Sequence, residues 1–242
     1  MSNTPKILSI IIPCFNESKT IKNLIDQISQ ANSLGLKKEI IIVDDGSDDD
    51  TPEILKKIEK KYLGNTASKS IILRAIYKKK NQGKGSALKK GFEKASGDIL
   101  LIQDADLEYS PKDYPKILKP ILENKAKVVY GSRHLSKNQY FSLFYYLGGL
   151  FLDKTISFIL RTNLTDAITG SKTMTREVYD KIKPLETDDF GIEVELTAKI
   201  VKHGYKPYEV AASYKPRGHE EGKNIRWHHG FTILRTLLKY SR

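Results

Sequence analysis

The chain has 242 residues, 39% of them hydrophobic and 29% charged, a composition that excludes a disordered or fibrous protein. Its formal net charge of +12 predicts an anionic partner, either phosphates, nucleic acid or an acidic membrane surface, although a solvated basic face explains the charge equally well. Cys14 is the only cysteine, so an internal disulfide is excluded and a reducing, cytoplasmic location is favoured.

Short apolar runs alternate with amphipathic stretches through the first half of the chain. Strands are predicted at 7–12, 39–43, 71–77, 98–102 and 127–130, and helices at 17–31, from Thr51 as a cap, at 85–95 and at 111–123. This order predicts an α/β fold with a mostly parallel sheet flanked by helices.

The second half of the chain is less regular. It contains an aromatic helical stretch at 137–162, a loop at 166–173 that enters a strand, a helix at 192–203 and a strand at 206–213. Since no linker or change of composition separates the halves, the sequence predicts a single domain over 1–242.

Polar clusters follow three of the predicted strands, at 13–17, 44–48 and 103–108. Ligands of open parallel sheets bind beyond the carboxyl ends of the strands. The three clusters are therefore predicted to form one binding edge.

Asp104 and Asp106 are the main candidates for chemistry. Carboxylates two residues apart on extended backbone point to the same side and suit one hard cation, Mg²⁺ or Mn²⁺, whose shell a substrate phosphate completes. Glu108 extends the cluster. The alternative interpretation is a solvated acidic turn.

Two further motifs suggest nucleotide binding. Asp44 and Asp45 have carboxylates that accept hydrogen bonds from a ribose or a base, although the same residues also suit a capping turn ahead of Thr51. Lys84 lies in Gly83-Lys84-Gly85-Ser86, which lacks the spacing of a nucleoside-triphosphatase loop but opens a helix whose N-terminus favours an anion.

A membrane-spanning helix is not predicted. The apolar part of 140–160 runs only over 141–152 before Asp153 and Lys154 interrupt it, which is too short for a span and suits either a core helix or an interfacial helix. Residues 199–242 carry ten Lys and Arg against three Glu, a pattern that attracts anionic headgroups. A peripheral enzyme at the inner face of the membrane is therefore expected.

Together these motifs resemble family 2 glycosyltransferases of the GT-A fold, and within them the branch of dolichol- and polyprenyl-phosphate mannosyl- and glucosyltransferases. The matching segments cover 7–226 and are 13–17 (PCFNE), 44–47 (DDGS), 81–85 (NQGKG), 97–98 (GD), 104–108 (DADLE), 131–133 (GSR), 166–172 (DAITGSK), 192–195 (IEVE) and 217–223 (RGHEEGK). Ala211, His219, Gly222 and His229 depart from the family pattern, which affects only the acceptor side.

The resemblance divides the chain into a nucleotide-sugar half at about 7–133 and an acceptor half at about 134–242. It implies a donor site, a metal site and a set of phosphate-facing cations. The donor site comprises Pro13, Phe15, Glu17, Asp44, Asp45, Lys84, Asp104, Ala105 and Asp106; the metal ligands are Asp104, Asp106 and Glu108; the cations are Arg133, Lys172, Arg217 and Lys223.

The implied reaction is an inverting, metal-dependent transfer of a hexose from GDP-mannose or UDP-glucose to a polyprenyl or dolichyl phosphate. A lipid phosphate is already an anion and needs no general base, so positioning and charge stabilisation suffice. A hydroxyl acceptor in polysaccharide or glycolipid synthesis would need one, and the candidates are Asp188, Asp189, Glu193 and Glu195. Glu195 suits equally a salt bridge within a helix.

Two non-catalytic alternatives are weaker. A nucleotide-sugar-binding protein without activity would be expected to have a broken metal motif, whereas Asp104 and Asp106 are both present. A nucleic-acid binder is suggested by charge alone, since the sequence contains no helix-turn-helix, zinc or RNA-binding signature. No nucleic-acid partner is therefore expected.

Overall fold

The structure is a computed structural model that describes residues 7–63, 71–137, 143–217 and 229–241. Within these ranges seven strands form one sheet in the order β3-β2-β1-β4-β6-β5-β7. The strands are β1 (Ile7–Cys14), β2 (Lys37–Asp44), β3 (Ile71–Tyr77), β4 (Ile99–Ile102), β5 (Val128–Ser132), β6 (Lys172–Thr175) and β7 (Tyr208–Ala211).

The sheet is mostly parallel, as the sequence predicts. β3, β2, β1 and β4 are parallel neighbours, and β5 is parallel to β7. β6 runs antiparallel to both β4 and β5, between which it lies. The strand that follows the 166–173 loop, which belongs to the acceptor half, is therefore inserted between two strands of the nucleotide-sugar half.

Eight α-helices are described in the same ranges. They are α1 (Ile21–Gln30), α2 (Thr51–Leu63), α3 (Lys84–Lys94), α4 (Tyr114–Leu122), α5 (Leu143–Ile159), α6 (Arg176–Ile182), α7 (Ile192–Lys202) and α8 (His229–Tyr240). A 3-10 turn, Pro111–Asp113, precedes α4. α6 and α8 are not among the helices predicted from the sequence.

The starts of α1 and α2 differ from the prediction. α1 begins at Ile21 because residues 17–20 form a turn, in which the carbonyl of Glu17 accepts from the N–H groups of Thr20 and Ile21 at 3.0 and 2.9 Å. Thr51 is the first residue of α2, and its hydroxyl accepts from the N–H of Glu17 at 2.9 Å. Thr51 thereby connects the first two strand-end loops.

Alternation along the central strands fills a core on each face of the sheet. Ile10 and Ile12 of β1 face α1, α2 and α4, whereas Ile11 faces the layer that contains α3, α5, α6, α7 and α8. Burial on both faces explains why these strands read as continuous apolar runs. In the described part of the chain, no helix is both long and apolar enough to cross a membrane.

Candidate active site

The strand register brings the predicted polar clusters to one edge of the sheet. Cys14 at the end of β1 pairs with Asp44 of β2, which in turn pairs with Tyr77 of β3. On the other side of β1, the N–H of Gln103 donates to the carbonyl of Ile11 at 3.0 Å, which aligns the end of β4. Residues 13–17, 44–48 and 103–108 therefore meet where the four parallel strands end.

Asp104 lies between a lysine and a glycine. The Nζ of Lys84, the first residue of α3, is 2.7 and 2.8 Å from its two carboxylate oxygens. A Cβ added to Gly170 would lie 2.2 Å from Asp104 Oδ2, so only glycine fits there without displacing the carboxylate. Burial, opposed by Lys84 and reinforced by Glu193, raises the pKa of Asp104.

Asp106 is a buried carboxylate close to two other carboxylates. Burial, together with the nearby Asp104 and Glu108 carboxylates, raises its pKa to about 8, although Arg217 and the N–H of Glu108 favour the charged form. Mg²⁺ and Mn²⁺ prefer oxygen ligands, among them the carboxylates of Asp and Glu. The donor set at Asp104 and Asp106 thus fits the predicted metal, and Ala105 between them is buried.

Glu108 holds a segment that crosses the edge of the site. Its two carboxylate oxygens accept from the Tyr214 hydroxyl and the Arg217 N–H, both at 2.9 Å. Its carbonyl accepts from the N–H of Lys215, also at 2.9 Å. In this structure, therefore, Glu108 positions the 214–217 segment next to the Asp104 and Asp106 carboxylates.

Arg217 links this segment to the nucleotide loop. Its guanidinium donates two hydrogen bonds to Glu17, of 2.9 and 2.7 Å, and lies 3.8 Å from Asp106 Oδ2. Such a paired contact is the geometry in which arginine also binds phosphate. Arg217 thus lies between the loop after β1 and the acidic cluster after β4.

The loop after β3 is fixed by Asp45. The Asp45 carboxylate accepts from the N–H groups of Gln82 and Gly83 at 3.0 and 2.6 Å and also contacts Lys78. Gly83 has a φ of 100°, and a Cβ there would lie 2.5 Å from the carbonyl oxygen of Asp188. Asp45 therefore sets the start of α3 and, through it, the position of Lys84.

The other residues predicted for the nucleoside border the same edge. Pro13 and Phe15 are half-buried, whereas Glu17 is buried in its pair with Arg217. Asp44 is buried, which raises its pKa, and its carboxylate accepts a hydrogen bond from Ser47. Asp44 thus stabilises the turn after β2.

A chain of alternating charges continues inward from Asp104. Lys84 lies 2.8 Å from Glu193 of α7, and Glu193 also contacts Lys172 of β6. Lys172 is fully buried and donates a second bond to the Thr169 carbonyl. Burial lowers the pKa of Lys172 although Glu193 opposes the shift. The structure places Lys172 beneath the site, not on an open surface.

Arg133 is held by a buried partner. Its side chain donates two hydrogen bonds to Asp166, of 2.8 and 2.7 Å, and its N–H donates a third of 2.8 Å. Burial alone would raise the pKa of Asp166, but Arg133 outweighs it and lowers that pKa. Arg133 also stacks over the ring of Tyr214, 5.5 Å from its centroid, which connects it to the 214–217 segment.

A second potential metal group, which the sequence reasoning did not identify, adjoins Arg133. One ligand atom from each of His134, Asp153 and Asp166 lies within 4.8 Å of the others. Asp153 also accepts from the N–H groups of Ala167 and Ile168, at 2.8 and 3.2 Å. The sequence signal for this group was Asp153 inside an apolar helix. An acidic residue is buried in such a helix only when it has polar partners, so its presence indicates a polar cluster.

Glu195 is engaged in supporting a turn. Its carboxylate accepts from the N–H groups of Glu186 and Thr187, at 2.8 and 2.7 Å, and pairs with Lys199 at 2.8 Å. These contacts engage both oxygens and favour the salt-bridging role that the sequence equally allowed, while a catalytic role of Glu195 stays a prediction. Lys223, the remaining predicted cation, lies outside the described residues.

Comparison with known proteins gives matches across most of the chain. A family model described as "Glycosyl transferase family 2" matches residues 9–183. A dolichol-phosphate mannosyltransferase of Pyrococcus furiosus is 28% identical over 89% of this chain and 58% of its own length. An uncharacterized protein of Methanocaldococcus jannaschii is 30% identical over 95% of this chain and 90% of its own length.

A third relative matches a shorter region. The UDP-N-acetylglucosamine–dolichyl-phosphate N-acetylglucosaminyltransferase of Methanococcus voltae is 35% identical over 53% of this chain and 52% of its own length. The matched region therefore spans little more than half the length of the Pyrococcus furiosus and Methanococcus voltae relatives.

Among solved structures, glucosyl-3-phosphoglycerate synthase of Mycobacterium tuberculosis is similar throughout. Its complex with Mn²⁺, UDP and phosphoglyceric acid has a TM-score of 0.70 at 22% identity and covers 98% of this chain and 78% of the synthase. A second structure of that enzyme contains Mg²⁺ and UDP. The similarity confirms the predicted GT-A fold.

Proposed function

Because the chain belongs to glycosyl transferase family 2, we propose that it transfers a hexose from GDP-mannose or UDP-glucose to a polyprenyl or dolichyl phosphate. One observation carries the proposal: the Asp104 and Asp106 carboxylates meet the cations of Lys84 and Arg217 where four parallel strands end. Carboxylates for a metal beside cations for phosphates suit a nucleoside diphosphate.

Asp104 and Asp106 are the residues that would hold Mg²⁺ or Mn²⁺, with Glu108 as the third acidic neighbour. When bound, the ion acts as a Lewis acid that stabilises the negative charge of the departing nucleoside diphosphate. Lys84 and Arg217 now pair with Asp104 and Glu17, and diphosphate binding would exchange these carboxylate contacts for phosphate contacts. Pro13, Phe15 and Asp45 would border the nucleoside.

The acceptor is proposed to be a phosphate because the candidate general bases are already engaged. Asp188 pairs with Lys89 at 2.7 Å, and Asp189 accepts from the N–H of Gly191 at 2.8 Å. Glu193 and Glu195 have the lysine and turn contacts described above. A phosphate oxygen needs no such base, and the names of the two dolichyl-phosphate relatives point to the same acceptor class.

In the proposed step, an acceptor phosphate oxygen attacks the anomeric carbon while the bond from that carbon to the diphosphate breaks. A single displacement of this kind inverts the anomeric centre. Arg133 is the cation proposed for the acceptor phosphate, since its bidentate pairing with Asp166 fixes its orientation. Association with the inner face of the membrane would bring the lipid acceptor to the site.

The test is a transfer assay with radiolabelled GDP-mannose and UDP-glucose, Mg²⁺ or Mn²⁺, and a short-chain polyprenyl phosphate. We expect lipid-extractable product of inverted configuration from one donor, and its loss in Asp106→Asn. Asp180→Asn is the matched control, because Asp180 forms an exposed pair with Lys183. Transfer to a hydroxyl acceptor, with none to the lipid phosphate, would favour the polysaccharide alternative.

A further inference from the structure

α5 exposes large apolar side chains along one stripe. Leu147, Phe151 and Phe158 are 54%, 67% and 84% exposed. Their spacings of four and seven residues place them on one side of the helix, opposite the buried Asp153 and Ile156. A helix that packs entirely within a protein core would bury such side chains. The exposed stripe therefore indicates contact with an apolar surface outside this fold.

α8 presents a second stripe next to the first. Phe231 and Leu238 are 67% and 62% exposed and lie seven residues apart, on the side opposite the buried Ile233 and Leu237. α5 packs against α8. Two helices in contact therefore expose five large apolar side chains, which we call the α5–α8 face: Leu147, Phe151, Phe158, Phe231 and Leu238.

The charges within the α5–α8 face are positive. Lys154 lies between Phe151 and Phe158, and Arg235 lies between Phe231 and Leu238; both basic residues are exposed. α8 contains no Asp or Glu, and the one acidic residue of α5, Asp153, is buried. Aromatic and aliphatic side chains interleaved with Lys and Arg are the composition of helices that lie in an anionic membrane interface.

We infer that the α5–α8 face docks on an anionic lipid bilayer. A second copy of this chain is the less suitable occupant, because a two-fold contact would bring Lys154 and Arg235 against the same cations of the other copy. The inference rests on the proposed lipid acceptor for its purpose and identifies the surface that would meet the membrane.

The face is directly connected to the acceptor half of the site. Asp153, on the buried side of α5, accepts from the N–H groups of Ala167 and Ile168, which follow the Asp166 that holds Arg133. Docking through the exposed side of α5 would therefore place the Arg133–Asp166 pair one helix away from the lipid headgroups.

The test is co-sedimentation of the full chain with phosphatidylcholine vesicles that either contain or lack phosphatidylglycerol. We expect binding to the anionic vesicles, weakened by salt, and about tenfold weaker binding for the double variant Phe158→Ser/Leu238→Ser. The matched control is Ile72→Ser/Tyr208→Ser, which removes two apolar residues that are 43% and 49% exposed elsewhere and should bind like the wild type.

Three results would overturn the inference: no binding of the wild type to anionic vesicles, equal binding of both double variants, or a wild-type dimer by light scattering that Phe158→Ser/Leu238→Ser dissociates. Both variants should keep the wild-type melting temperature, which shows that they fold. Vesicle binding is measured without a sugar donor or a lipid acceptor. Failure of the transfer assay with the short-chain acceptor would therefore reject the proposed function without deciding whether the α5–α8 face binds membranes.

Discussion

At the scale of single residues, the site is defined by the Asp104 and Asp106 carboxylates, which are buried close to each other and to further acidic groups. Asp104 shares Lys84 with Glu193, and Arg217 lies 3.8 Å from Asp106, farther than Lys84 lies from Asp104. Burial and neighbouring carboxylates raise the pKa values of both aspartates. Binding and stability should therefore respond in opposite directions to removal of one of these charges.

Asp106→Asn tests this opposition. We expect metal-dependent nucleotide binding to disappear, while the metal-free variant melts no lower than the wild type and up to about 3 °C higher, since about 1 kcal/mol corresponds to about 2–4 °C in a chain of this size. Calorimetric titration and thermal unfolding without metal measure the two effects. A clear drop in the melting temperature would mean that Asp106 stabilises the fold.

Gly170→Ala tests the packing against Asp104. The new Cβ would lie 2.2 Å from Asp104 Oδ2, so the carboxylate must move away from its position between Lys84 and the site. We expect nucleotide affinity in the presence of Mn²⁺ to fall about tenfold, or about 1.4 kcal/mol. Gly148→Ala is the control, because a Cβ there has nothing within 4 Å. Equal affinities of the two variants would contradict the prediction.

At the scale of elements, the Arg133–Asp166 pair joins the end of β5 to the loop before β6. Asp166 is fully buried and Arg133 is 21% exposed, so the loss of one partner leaves a largely desolvated charge. Asp166→Asn should destabilise the fold by about 3–5 kcal/mol, which urea unfolding at neutral pH would measure. Asp180→Asn, which breaks an exposed pair, should cost less than about 1 kcal/mol.

The Arg133–Asp166 pair should also make the free energy of unfolding depend on pH. Arg133 outweighs burial and holds the pKa of Asp166 below its usual value near 4. A carboxyl whose pKa is depressed by folding contributes stability above about pH 4, and that contribution is lost as the pH falls through the folded-state pKa. The stability difference between wild type and Asp166→Asn should therefore shrink below about pH 4. A constant difference would show that the ionisation of Asp166 is unimportant.

The elements also show which features are accessible from sequence. The parallel strands and the polar loops after β1, β2 and β4 were predicted because an apolar run followed by a polar cluster is a local pattern. The antiparallel direction of β6 was not predicted, because it depends on pairing with β4 and β5. Likewise, Asp153 and Asp166 are 19 and 33 residues from the His134 and Arg133 that they contact, beyond any local pattern.

Residue roles were less predictable than residue positions. The resemblance implied that Lys172 faces a phosphate, and Glu195 was a candidate general base. Only the packing shows that Lys172 is buried against Glu193 and that Glu195 contacts a turn. Conversely, Asp45 was predicted to hold a nucleoside or a turn, and its contacts with Gln82 and Gly83 make it an anchor for the loop before α3.

At the scale of the whole molecule, the site draws on loops that follow three strands and on the late 214–217 segment. Arg217 contacts Glu17, 200 residues earlier in the chain, and lies near Asp106. A donor that contacts both Glu17 and Arg217 would connect the loop after β1 to the 214–217 segment. Ligand binding should therefore be visible as global stabilisation.

Mn²⁺ together with the correct nucleoside diphosphate is expected to raise the melting temperature of the wild type. At a ligand concentration one hundred times Kd, the linkage contributes about 2.7 kcal/mol, which corresponds to about 5–11 °C for this chain length. The shift should require both components, because the diphosphate would complete the shell of the ion that Asp104 and Asp106 are proposed to hold. Asp106→Asn should show no shift, and the response to UDP or GDP identifies the base of the donor. A wild-type melting temperature unchanged by either nucleotide would contradict the assignment of this edge as a nucleotide-sugar site.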